Sequence, residues 1–226
     1  TEKIYHELMD CGCDVITTGN HAFAQKEALI FADRAPCFLR PANFPTNVAG
    51  RGSGVFEARN GARLLVANIM GQVFMSPILD DPFSCAEKIL EACPLGVHVD
   101  ACIFDFHAEA TSEKQCFGHF LDGKASVVVG THTHIPTADA QILRQGTAYL
   151  TDAGMCGDFD SSLGIDKEEP LRRFINKLSY KRYESAKGEA TLCGFCVEIS
   201  DRTGLAERVS PLRIGPHLEE VLPRFW

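Results

Sequence analysis

Three short apolar runs in this 226-residue chain stop at residues able to do chemistry. "DVITTG" (Asp14 to Gly19) delivers Asn20 and His21, "ACIFDF" (Ala101 to Phe106) delivers His107, and "SVVVG" (Ser126 to Gly130) delivers His132 and His134. Each run has the length and flanking residues of a buried β-strand. In an open α/β sheet, ligands gather beyond the carboxyl ends of the strands, and four of the chain's eight histidines fall there.

The segments between carry helical spacing. Ile4, Leu8 and Met9 predict a helix from Glu2 to Cys11, and a second spans Lys26 to Arg34, limited by Pro36. Asp81-Pro82 reads as an N-cap and first-turn proline opening a helix to about Cys93. Ser112 and Gln115 fit a capping box for a helix ending near Leu121, and Lys167 to Leu178 predicts another. Asn60-Gly61, Gln145-Gly146 and the stretch from Asp201 to Gly204 mark hairpin turns. Helices alternating with strands and then giving way to hairpins argue for an α/β fold, either one mixed sheet or a two-sheet sandwich flanked by helices. No linker divides the chain, so residues 1–226 are expected to form a single domain.

Composition narrows the setting. A hydrophobic share of 45% with 23% charged residues excludes a disordered chain. Thirty acidic against 22 basic residues give a net charge of −8, which repels a nucleic-acid backbone, so no nucleic-acid polymer is expected as partner. The apolar stretches are strand-sized and no export signal is visible, so no membrane partner is expected either. Ten cysteines spread through apolar runs, Cys102 among them, suit reduced thiols and a cytoplasmic chain better than a disulfide scaffold.

Taken singly, each candidate has an ordinary reading: a lone histidine past a strand is a surface or packed residue, and Asn20-His21 after glycine is a turn. Together they imply several neutral imidazoles in one cleft, which is best explained by a transition metal. A bound cation would also let an acidic chain hold an anionic substrate. Asp152, just past "TAYLT", is a weaker candidate ligand, and Glu109 is placed to orient an imidazole. Cys193 and Cys196 have the CxxC spacing without a second pair and read as core.

Six segments now name a family. "TTGNHAF" (Thr17 to Phe23), "LRPANFP" (Leu39 to Pro45), "LDDPF" (Leu79 to Phe83), "DFHAEATSEK" (Asp105 to Lys114), "VVGTHTHIPTAD" (Val128 to Asp139) and "GTAYLTDAGMCG" (Gly146 to Gly157) closely resemble the YmdB-type metallophosphoesterases, a bacterial branch of the calcineurin-like phosphoesterases. The resemblance implies a four-layer α/β/β/α sandwich of mixed sheets and two divalent or trivalent metal ions, iron or manganese rather than zinc. It also implies hydrolysis of small phosphodiesters, 2′,3′-cyclic nucleotides above all, by metal-activated hydroxide, and a homo-oligomer. By position, Asn20, His107 and His132 resemble ligands of one metal and His134 a ligand of the other, while His21 matches the proton donor to the leaving oxygen. The family's first metal-binding Asp and its Glu-Asn pair have no counterpart here, so the chain is expected to be N-terminally incomplete. The rival expectation is a regulatory or scaffold protein that keeps the fold without turnover.

Overall fold

Sixteen short segments of regular structure, counting one 3₁₀ turn, alternate along residues 1–225, the part of the chain that the computed structural model describes. In order they are α1 (Glu2–Asp10), β1 (Ile16–Thr17), α2 (Ala28–Phe31) with the 3₁₀ turn Ala32–Arg34, β2 (Phe38–Leu39), β3 (Ser53–Glu57), β4 (Arg63–Met70) and α3 (Pro82–Ala92). Then come β5 (Ala101–His107), α4 (Thr111–Leu121), β6 (Val127–Thr131), β7 (Gln141–Ile142), β8 (Ala148–Leu150), α5 (Glu168–Asn176), β9 (Leu192–Ile199) and β10 (Ala206–Ile214).

Six of the strands form one mixed sheet in the order β3-β4-β5-β6-β8-β7. Its centre is parallel, β4 to β5 to β6 to β8, and the outer strands β3 and β7 run antiparallel to their neighbours. The pairing of Met70 with His107 and of His107 with Thr131 brings three strand ends to the same edge. Helices α3 and α4 supply Ala86, Phe117 and Leu121 to the core beneath Leu65, Ala67, Phe104 and Phe106. Phe117 lies flat on Phe106, with ring centroids 4.0 Å apart and planes 6° from parallel. Antiparallel β9 and β10 make a separate two-stranded sheet, as do parallel β1 and β2.

The α/β class and the mixed sheet agree with expectation, as do the three hairpins and the Asp81 cap, whose carboxylate accepts from Phe83 N–H at 2.9 Å. Three elements differ. The run from Asp14 to Gly19 yields only β1, outside the six-stranded sheet, because the Thr18 hydroxyl donates to the Leu39 carbonyl at 2.9 Å and the chain then turns into the site. The helix expected over Lys26 to Arg34 shrinks to α2, since its first residues close three-residue turns, such as Ala28 N–H to the Gln25 carbonyl at 3.0 Å. The capping box at Ser112 does not form. Helix α4 begins two residues earlier than that cap requires, at Thr111, with Ala110 in the cap position and no side-chain cap bond. Ser112 is therefore inside the first turn and exposed.

Cys193 and Cys196 lie on β9, and all ten cysteines are free thiols. Among the described residues, no helix is long and apolar enough to cross a membrane.

Candidate metal centre

The strand ends of β5 and β6 and the turn after β1 meet at one point. His107 ends β5, and its Nε2 lies 3.0 Å from Asn20 Oδ1 and 3.1 Å from His132 Nδ1. The rings of His107 and His132 stand edge to face at 4.8 Å. Residues 87 and 25 positions apart in the chain thus touch through the two ring nitrogens and the amide oxygen. The contact depends on Gly19, which is buried and faces the His107 ring directly.

A chain of hydrogen bonds running into the sheet decides which nitrogen of His107 carries its proton. The Thr131 hydroxyl donates to Asp105 Oδ1 at 2.7 Å, and Asn68 donates to Asp105 Oδ2 at 3.1 Å. With the single Thr131 proton committed to Asp105, the 2.9 Å contact between Thr131 Oγ1 and His107 Nδ1 makes the imidazole the donor. Nε2 then carries a lone pair. On the other side, His132 Nε2 lies 3.1 Å from Glu109 Oε2, a charge partner for the ring. Glu109 thus lies beside the imidazole of His132, where the sequence placed it.

Burial acts on the same groups. It pushes His107 down to about 3, helped by the neighbouring His132 and Lys114, so the ring is neutral near pH 7. Burial also lowers His132, against the pull of Glu109. Asp105 is pushed up to about 6 by burial, with the Thr17 and Thr131 hydroxyls drawing it back.

Three atoms able to donate electron pairs, His107 Nε2, His132 Nδ1 and Asn20 Oδ1, consequently face one another within 3.1 Å of the His107 nitrogen. Such a set suits a cation that takes imidazole and amide ligands. The residues present fit a metal ion. Among the described residues no group of three or more His, Cys, Asp and Glu side chains has metal-holding spacing; here the third donor is an amide.

The remaining candidates divide. His134 is exposed, and its Nδ1 contacts the Leu163 carbonyl at 2.9 Å rather than either of the other imidazoles, although it lies close enough for its charge to lower His132. His132 and His134 both adopt positive φ, 103° and 69°, in the left-handed region that side chains other than glycine disfavour. His21 is exposed beside Asn20 and borders a hollow lined by Tyr5, Ile16, Phe31 and Phe38. Asp152 is buried, and both of its oxygens are taken: Oδ1 by Gly154 N–H at 2.9 Å, and Oδ2 by Lys114 Nζ at 2.8 Å and by Thr133 N–H and Oγ1 at 3.0 and 2.8 Å.

Asp105, Asn68, Thr131, Lys114 and Thr133 support the site and were not singled out in the sequence. Asp105 and Asn68 did leave a signal, each being a polar residue inside an otherwise apolar strand, "ACIFDF" and "LLVANI".

Comparison with known proteins places these features in a family. Residues 1–212 match the family described as YmdB-like protein. The 2′,3′-cyclic-nucleotide 2′-phosphodiesterase of Bacillus subtilis (strain 168) is 46% identical over 216 residues, covering 95% of this chain and 80% of that protein. A crystal structure of a hypothetical protein from Thermus thermophilus superposes with a TM-score of 0.85 at 37% identity, over 94% of this chain and 81% of that one. The crystal structure of a novel phosphatase from Mycoplasma pneumoniae gives a TM-score of 0.86 at 35% identity, over 95% and 76%.

Proposed function

The chain belongs to the YmdB-like protein family, and on that premise we propose that it is a metal-dependent phosphodiesterase acting on 2′,3′-cyclic nucleotides. One observation carries the reading: ring nitrogens of His107 and His132 and the amide oxygen of Asn20 converge on one point. The Bacillus subtilis relative supplies the substrate class, a phosphodiester strained in a five-membered ring.

Asn20, His107 and His132 would hold one metal ion, and His134 would contribute to a second once it leaves the Leu163 carbonyl. Iron or manganese suits the imidazole and amide donors better than a thiolate-seeking ion. When bound, such ions lower the pKa of water toward 7 and offset the negative charge of phosphate oxygens. The chain's own residues do the rest. The bond from His107 to Thr131 keeps the Nε2 lone pair turned outward, and Glu109 stands beside the His132 ring as its charge partner. His21, exposed beside Asn20, is free to give a proton to the departing ribose oxygen. Ten free thiols fit a reducing compartment, and we place the protein in the cytoplasm.

The test is hydrolysis of 2′,3′-cyclic AMP by the manganese-supplemented chain, with and without chelator, beside manganese binding by wild type and His107→Ala. The expected result is hydrolysis abolished by chelation and a loss of manganese affinity in the variant. Manganese binding without turnover would favour the scaffold reading. Binding that His107→Ala leaves unchanged would remove these residues from the ligand set.

A further inference from the structure

We infer that Asp152, with Lys114 as its counter-ion, is a positioning residue that fixes the turn carrying His132 and His134. The inference rests on the metal reading of that turn and adds what holds it in shape.

Both side chains are essentially inaccessible, with Asp152 and Lys114 each 1% exposed. Lys114 projects from α4 and passes β6 at Gly130, where a Cβ would stand 3.2 Å from its Cδ, to reach Asp152 just beyond β8. The same Oδ2 that receives the ammonium also receives both the amide and the hydroxyl of Thr133. Thr133 lies between the two histidines, and its neighbours on either side hold positive φ. A non-glycine residue persists in that region only where its surroundings over-determine it. The Asp152 carboxylate is the external contact that grips the turn at its middle.

A buried ion pair adds little stability over an apolar pair of the same size. What distinguishes this one is direction. An acceptor at Oδ2 sets where the Thr133 N–H points, and the peptides on either side then set where the two imidazoles point. Asp152 does so without needing to touch a metal, since both of its oxygens are engaged within the protein.

Two doubly substituted chains separate acceptor geometry from charge. Asp152→Asn with Lys114→Met removes both charges yet leaves an oxygen for the Thr133 N–H. Asp152→Leu with Lys114→Met removes both charges and the acceptor. Calorimetric titration with manganese and amide exchange at Thr133 are measured on each, with folding confirmed by circular dichroism. The Asn-bearing chain should stay within about threefold of wild type in both. The Leu-bearing chain should lose about 10- to 100-fold in manganese affinity, the usual effect of removing an outer-shell partner, and expose Thr133 to faster exchange. Equal affinities in the two folded variants would overturn the inference. Should wild type itself bind no manganese, the metal reading fails separately, and Thr133 exchange alone decides the positioning role by the same comparison.

Discussion

Gly19 and the imidazole of His107 lie against each other so closely that a Cβ on Gly19 would stand 2.3 Å from both Cε1 and Nε2 of the ring. No side chain fits there without moving the ring or the turn that carries Asn20. Gly19→Ala should therefore displace a proposed metal ligand while leaving the sheet intact. A misplacement of about 1 Å costs about 10²-fold in rate, so turnover should fall by that order with little change in the urea midpoint. A variant with wild-type turnover would show that the ring does not need its observed position.

His21→Ala addresses the proposed proton donor instead of the proposed ligands. Loss of a general acid lowers turnover by about 10²- to 10⁴-fold, and metal content measured by atomic absorption should stay at the wild-type level. Loss of metal in this variant would move His21 into the ligand set.

The buried groups give opposite pH dependences. Asp105 is raised to about 6 from an ordinary value near 4, so its contribution to stability is complete below about 4 and is lost as pH rises through about 6. His107 is lowered to about 3 from about 6.5, so its contribution is complete above about 6.5 and is lost as pH falls toward 3. Urea unfolding of wild type and Asp105→Asn isolates the first effect. The advantage of wild type over the variant should be larger at about pH 4 than at about pH 7. A gap that does not vary with pH would mean that Asp105 ionises normally.

Phe117 anchors α4 to the sheet, stacked on Phe106 and edge to face with Phe83 and Phe104. Phe117→Ala should destabilise the protein by about 3–5 kcal/mol, read from urea unfolding, because the fully enclosed site cannot collapse around the missing ring. A loss below about 1 kcal/mol would mean that α4 repacks freely.

Much of this was legible in the sequence because apolar runs and turn residues are local signals. "ACIFDF" and "SVVVG" became β5 and β6, and the Asn60-Gly61 turn joined β3 to β4 with Gly61 at φ 84°. The convergence of His107 with His132 followed from their matching places at neighbouring strand ends. The short reach of β1 was not legible, since the Thr18 contact that ends it lies 21 residues away. Nor was the use of Asp152. A carboxylate just past a strand looks the same in sequence whether it faces a cation or a lysine, and Lys114 is 38 positions distant.

The path from Asn68 through Asp105 and Thr131 to His107 begins deep inside the sheet and ends at its rim. The proposed readiness of that rim to accept an ion is thereby inherited from the interior of the sheet. Redesigning the surface loops would change which molecules arrive, whereas altering a single hydroxyl two side chains from the centre would let the ring swap its tautomer and withdraw the electron pair altogether.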